Sequence, residues 1–355
     1  MESMVLVLGV SAGAGGARAM LTHSDQPHLP PIDRCQVPRR AGGGVEEPVF
    51  EAIRQMRAAA ARRDELITGT AVTCRCPLHA VAIRTAAGRT RLTIVDEPLA
   101  QLRYLRFTGR LCTTGSVILY DLGSSGLTIT HADCRTDTIL SSKRSTVLGG
   151  DGYDALLRWQ LARGGVLTDK PTSRRHREEL SSARVITAMD TSSGGRAVVT
   201  RSDLAELCAA GIHHSASFVR QLIQETGIQP EALILLGGCT RNPDIREELS
   251  EMIELPVIYD EEPECVSARG AVLLAAERPD GDVRMARLRS AALTGAVVPT
   301  TTGRRKLIAA LAVTIALGAT IAGLLAMDHS TARSPGGVNA PTPVQVDGIP
   351  ANSFN

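Results

Sequence analysis

A chain of 355 residues with 39 Lys and Arg against 37 Asp and Glu carries a formal charge of +2, too near neutrality for a nucleic-acid-binding surface. Its 43% hydrophobic content includes only 3% aromatics, so the core must be built of Ala, Leu, Val and Ile, and the length leaves room for two domains and further segments. Only Lys143, Lys170 and Lys306 are lysines, a compositional bias towards arginine that discounts arginine clusters as functional evidence.

Of eight scattered cysteines, several on apolar patterns such as Leu207-Cys208, most are expected as reduced, buried thiols. Val5 to Gly9 reads as a short apolar strand leading into a flexible turn, Ser11-Ala-Gly-Ala-Gly-Gly16. The Pro-, Gly- and Arg-rich residues 23–47 read as loop. Helical spacing follows from Phe50 to Leu66, with arginine on the solvent side. Cys74-Arg-Cys76-Pro-Leu-His79 brings three candidate metal ligands close together, but structural zinc wants four ligands at more usual spacings and no partner pair is evident. Leu92 to Val95 is a strand stopped by Asp96-Glu97-Pro98 and followed by a helix through Leu99, Leu102 and Leu105.

The sharpest hairpin in the chain is Ser116-Val-Ile-Leu-Tyr120, the turn Asp121-Leu-Gly123-Ser-Ser-Gly126, and the return strand Leu127-Thr-Ile-Thr130. Consecutive turn amides can hold an anion, and a rim carboxylate such as Asp121 can hold a metal ion through water; a plain β-hairpin satisfies the same pattern. Leu148-Gly-Gly-Asp-Gly152 opens a helix through Leu156, Leu157 and Trp159. Ser202 is expected to cap a long helix that ends at Gly227. Its adjacent His213 and His214 point to different faces, which disfavours a shared metal. Leu233 to Leu236 is a buried strand, followed by a Gly237-Gly238 turn, a helix opened by Asn242-Pro243, a short strand after Pro256 and a helix from about Glu264. A glycine pair between a strand end and a helix lets backbone approach a ligand, although an ordinary βαβ connection uses the same turn.

Leu307 to Met327 is 21 residues without a charge. At about 1.5 Å per residue that length crosses a bilayer core. Arg304-Arg305-Lys306 flanks its N-terminal end, so the positive-inside rule puts residues 1–306 in the cytoplasm and the 328–355 tail outside, across an inner or plasma membrane. That tail is too poor in large apolar residues to fold. The glycine-broken N-terminus lacks the basic n-region of a signal peptide. Within the span, Ala312, Ala316 and Thr320, or Ala319 and Gly323, set small residues four apart, a spacing compatible with a helix-mediated dimer.

Taken in order, these segments resemble the nucleotide-binding domain of DnaK-type chaperones, the heat shock protein 70 family of the actin-like ATPase superfamily. YDLGSSGLTIT with LGGDGYDALL is similar to the family's phosphate-binding hairpin and its sequel; LILLGGCTRNPDIREEL with EPECVSARGAVLLA is similar to its adenosine-binding segments; Val95-Asp96-Glu97-Pro98 looks like its Asn-Glu-Pro connection between lobes. The resemblance covers about residues 1–277. It implies an α/β, two-lobed, ribonuclease H-like fold with a first lobe over 1–115 and a second over 116–277, then a linker over 278–306 and the transmembrane helix. It implies ATP or ADP with Mg as ligand, Asp121 and Glu97 as catalytic residues, and Asp121 on the metal. Around the nucleotide it implies Gly13, Gly123, Ser124, Gly149, Gly150, Arg177, Ser181, Gly237, Gly238, Arg241, Glu264 and Gly270.

The departures are specific. Ser11 stands where the family has a carboxylate, Ala14 where it has a phosphate-facing hydroxyl, and Thr128 where it has a second carboxylate. Ser124 and Ser125 replace two of three consecutive glycines, and Arg174 replaces a glutamate of the helix Ser173 to Ser182 that stacks on adenine in the family. The first lobe is shortened by most of the subdomain that supplies a catalytic lysine, and a membrane helix stands where the family's polypeptide-binding domain follows. The resemblance thus implies a membrane-anchored, chaperone-like ATP- or ADP-binding protein with weak or absent hydrolysis. The alternative is a pseudo-ATPase scaffold or signalling module that keeps the fold and tethers a cytoplasmic protein partner.

Overall fold

The computed structural model describes residues 5–26, 29–190 and 192–277. In the first sheet, β1 (Val5–Gly13) pairs antiparallel with β2 (Gly16–His23), which pairs with β3 (Asp33–Pro38). Leu6, Val7, Leu8 and Val10 are all fully buried, the continuous apolar run of a strand covered on both faces. A single helix, α1 (Glu46–Ala61), carries the chain from β3 to β4 (Leu66–Cys74), and α2 (Pro77–Ala87) carries it on to β5 (Thr93–Asp96). Both strands run parallel to β1, giving the order β3-β2-β1-β4-β5.

The 23–47 stretch is not loop throughout, since 33–38 is an edge strand whose polar residues alternate with half-buried ones. The helix expected over Phe50 to Leu66 is α1, starting and stopping about a turn earlier; Leu66 opens β4, which is rich in threonine and so lacks a plain apolar signature. Ser11 is not in a turn: β1 continues to Gly13 because Ala12 pairs with Ala17 across the hairpin.

The second half begins with α3 (Glu97–Phe107) and a three-stranded meander, β6 (Ser116–Leu122), β7 (Leu127–Asp133) and β8 (Thr138–Ser145). Helices α4 (Gly150–Arg163) and α5 (Lys170–Glu179) lead to a separate ribbon of β9 (Val185–Met189) and β10 (Arg196–Thr200). The long helix α6 (Arg201–Thr226) follows. Its N-cap is Thr200 rather than Ser202: the Thr200 hydroxyl accepts from the Asp203 amide while the Asp203 carboxylate accepts from the Thr200 amide, and Gly227 closes the other end at φ +66°. Strand β11 (Ala232–Leu236), a 3-10 turn at Gly238–Arg241, α7 (Pro243–Met252), β12 (Val257–Tyr259) and α8 (Val266–Glu277) complete the chain as described. The second sheet has the order β12-β11-β6-β7-β8, with β11 parallel to both β6 and β12.

Helices α1 and α2 cover one face of the first sheet and α8 covers the other, through Ala268, Ala271, Val272 and Ala275. On the second sheet, Leu102 and Leu105 of α3 meet Val117, Leu119 and Ile234, while α4, α6 and α7 fill the opposite face. Helices α3 and α8 pack on each other so closely that a Cβ on Gly270 would lie 1.8 Å from the Ala100 carbonyl oxygen. The pair is therefore a shared layer between two sheets, a mixed α/β arrangement consistent with an actin-like ATPase fold. Among the described residues no helix is long and apolar enough to cross a membrane, and the span expected at 307–327 lies outside them.

Candidate functional site

The C-terminal ends of β1, β4 and β5 in one sheet and of β6 and β11 in the other open onto one cleft of about 410 Å³. Strand ends of open α/β sheets are where ligands bind, because backbone amides and connecting turns converge there. Two hairpin tips face each other across it: a Cβ on Gly15 would sit 2.8 Å from Ser124 Oγ. The tip at Gly123–Ser124 is fixed from behind by α4, as the Gly150 amide donates to the Gly123 carbonyl at 3.0 Å and the Asp151 amide to the Ser124 carbonyl at 2.7 Å. Gly237 adopts φ +82°, and a Cβ there would come within 2.4 Å of the Leu122 carbonyl oxygen and 2.7 Å of Asp121 Oδ1, so only glycine fits this corner.

The cleft brings together Asp121, Glu97, Gly13, Gly123, Ser124, Arg177, Ser181, Gly237, Gly238, Arg241 and Glu264, together with Ser11. Three of the residues implied by resemblance stand elsewhere. Gly149 and Gly150 pack their backbone behind the hairpin tip, and Gly270 lies in the α3–α8 seam. Thr128 pairs directly with Asp121 in the hairpin register, and its hydroxyl accepts from Arg144 Nη1 at 3.2 Å.

At the floor of the cleft stands a residue that sequence reasoning passed over. Arg75, between the end of β4 and α2, donates through Nε to Glu97 Oε2 at 2.6 Å and through Nη2 to Asp121 Oδ2 at 2.7 Å. It reaches both because β4 and β5 are parallel neighbours, with Cys74 opposite Asp96, so Arg75 and Glu97 leave their strands side by side. Gln101, one turn along α3 from Glu97, donates to the same Asp121 oxygen at 2.8 Å and to Ser267 Oγ at 3.1 Å. Ser267 in turn donates to Glu97 Oε1 at 3.3 Å, closing a ring of five side chains. Burial and the Asp121 carboxylate push the Glu97 carboxyl above its ordinary value, with Arg75 opposing them. Burial works against the Arg75 charge, but the two carboxylates outweigh it and hold the guanidinium above its usual range.

The other carboxylates of the cleft are also paired. Arg241 takes Glu264 in a two-pronged contact, Nε to Oε2 at 2.8 Å and Nη2 to Oε1 at 2.6 Å, and Arg177 lies 3.7 Å from Glu178. Arg177 also donates at 2.6 Å to Asp154, which is fully buried, so it is anchored from below. Magnesium wants several oxygen ligands around its own waters, and the two carboxylates at the floor already carry a guanidinium between them. The residues present do not fit a divalent cation there. Asp121, implied as a metal ligand, accepts from Arg75 and Gln101 through Oδ2. Cys74 and Cys76 do not form a metal site either: Cys74 is buried in β4, Cys76 caps α2 by accepting from the His79 amide at 3.5 Å, and no group of three metal-ligand side chains exists among the described residues. All eight cysteines are free thiols.

Residues 170–289 match the family model described as Hsp70 protein. The chain is 29% identical over 189 residues to a chaperone protein HscA homolog of Methylococcus capsulatus, covering 47% of this chain and 30% of that one. It is 26% identical over 215 residues to chaperone protein HscA of Salmonella arizonae, covering 56% and 34%, and 26% identical over 272 residues to the homolog of Azotobacter vinelandii, covering 70% and 42%. The chain thus matches less than half the length of each of these relatives. The family match and these relatives together support an Hsp70-type nucleotide-binding domain.

Proposed function

We propose that this protein is a membrane-anchored, chaperone-like module that binds ATP or ADP and hydrolyses it little or not at all. The observation that carries the reading is the cleft itself, where a glycine-only corner at Gly237 and two facing hairpin tips offer backbone amides among five arginines at converging strand ends. Hydrolysis is a different demand. Phosphoryl transfer needs groups that place a metal, orient the attacking water and stabilise developing charge. Here Ser11 and Thr128 are hydroxyls, and the remaining floor carboxylates are tied to Arg75. Each lost contact of this kind is worth on the order of 2–4 kcal/mol in the transition state. The uncharged stretch at 307–327 supports the anchor, with the cleft on the cytoplasmic side where nucleotide is available.

Thermal unfolding and calorimetry of the full-length chain in detergent test the reading. ATP or ADP at about a hundred times its Kd should stabilise the fold by about 2.7 kcal/mol, while phosphate release stays at the protein-free background. The second reading, a scaffold that binds no nucleotide, is favoured by the pairing of every carboxylate in the cleft with an arginine. Absence of binding at millimolar ATP and ADP would establish that reading in place of the first.

A further inference from the structure

A polyphosphate entering this cleft brings three or four negative charges and needs a cation at its inner end. We infer that Arg75 is that cation: a guanidinium fixed in the protein takes the place of the divalent ion, so the cleft selects metal-free nucleoside di- or triphosphate. The inference rests on the nucleotide-binding reading above and deepens it.

Three observations carry it. First, the floor carboxylates are already paired with a cation. Glu97 and Asp121 are 9% and 10% exposed, and both are held by the same guanidinium, with Gln101 sharing the Asp121 oxygen that Arg75 holds and Ser267 on the second Glu97 oxygen. A cation entering there would have to displace Arg75 from two charge-assisted bonds at once. Second, Arg75 retains donors for a ligand. Its Nε and Nη2 are used in the ring, while Nη1 makes no hydrogen bond among the described residues and lies towards the Gly123 hairpin tip, 3.7 Å from where a Cβ of Gly123 would be. The guanidinium therefore presents its free edge to the turn whose amides would hold phosphate. A planar guanidinium matches phosphate oxygens through paired N–H groups, which a hydrated ion cannot do without a carboxylate cage. Third, the ring is preorganised. Arg75, Glu97, Ser267, Gln101 and Asp121 come from four separate elements and close on one another, which fixes the guanidinium before any ligand arrives.

The test is calorimetric titration of the full-length chain in detergent with ATP, once with EDTA and once with excess Mg²⁺, for the wild type and for Arg75→Gln. The wild type should bind ATP in EDTA at least as tightly as in Mg²⁺. Arg75→Gln should weaken binding in EDTA by about ten- to a hundredfold, the range expected for a charge-assisted phosphate contact, and Mg²⁺ should restore part of it because Glu97 and Asp121 are then free. A wild type that binds at least about tenfold more tightly with Mg²⁺ overturns the inference while leaving nucleotide binding intact. If neither condition gives binding, the nucleotide reading itself fails and the inference falls with it. The wild-type comparison decides the matter even where the variant does not fold.

Discussion

At the scale of single residues, the floor of the cleft behaves as one electrostatic unit. Removing Arg75 leaves two buried carboxylates facing each other, and Arg75→Gln should cost about 2–3 kcal/mol at neutral pH, below the full figure for a buried pair because the guanidinium side chain is 21% exposed. Burial and Asp121 already raise the Glu97 carboxyl, and loss of Arg75 removes the opposing influence. A carboxyl raised in the folded state holds its proton more tightly folded than unfolded, so stability falls as pH rises through that raised value. The variant should therefore recover part of its loss as the pH drops from about 8 towards the ordinary carboxylate value of 4.5, read as a shift in urea midpoint. A loss that is flat with pH would mean the two carboxylates do not share the site. Ser11→Asp with Thr128→Asp should leave phosphate release at background while Arg75 is in place, and adding Arg75→Ala should raise it in Mg²⁺. Turnover by the double variant alone would show that Arg75 is not the obstacle. Asp121, Glu97 and Gly237 were legible because each sits in a local pattern of strand end and turn. Arg75, Gln101 and Ser267 were not: they meet only through the convergence of β4, α3 and α8, and arginine abundance had devalued Arg75. The available signal was position, an arginine immediately after a parallel strand whose neighbour ends in Glu97.

At the scale of elements, the α3–α8 seam links the sheets and carries part of the ring, since Gln101 belongs to one helix and Ser267 to the other. Gly270→Ala would place a methyl group 1.8 Å from the Ala100 carbonyl, so the helices must separate. The expected result is a destabilisation of about 2–3 kcal/mol by denaturant titration, in the range of core overpacking, with a parallel loss of ATP affinity. Unchanged affinity would show that the seam and the cleft are uncoupled. Thr200→Ala removes the α6 cap far from the cleft and should cost about 1 kcal/mol without changing affinity. The elements read correctly from sequence were those with strong periodicity or sharp punctuation: the β6–β7 hairpin, α6 and the β11 turn. Strands β4 and β8 escaped because buried threonines in one and a half-exposed polar edge in the other blur the apolar alternation. Helix α2 was hidden by the cysteines that precede it, which are spaced like ligands and serve as a strand residue and a cap.

At the scale of the whole molecule, the resemblance implied an α/β fold of the actin-like type, and the described residues form mixed α/β sheets consistent with it, with α8 returning to the first sheet. The membrane proposal belongs to this scale. A reporter fused after Asn355 should be extracytoplasmic and one inserted before Arg304 cytoplasmic, tested by protease protection; the reverse would separate the cleft from cytoplasmic nucleotide. The most direct test of the central claim, that a nucleotide site here carries its own cation, is a crystal structure of the chain grown with ATP and Mn²⁺ and measured for manganese anomalous scattering. The expected map has ATP phosphates against the Gly123 turn, Arg75 still bridging Glu97 and Asp121, and no manganese peak between those carboxylates. A manganese ion seated on Asp121 and Glu97 with Arg75 turned away would contradict it.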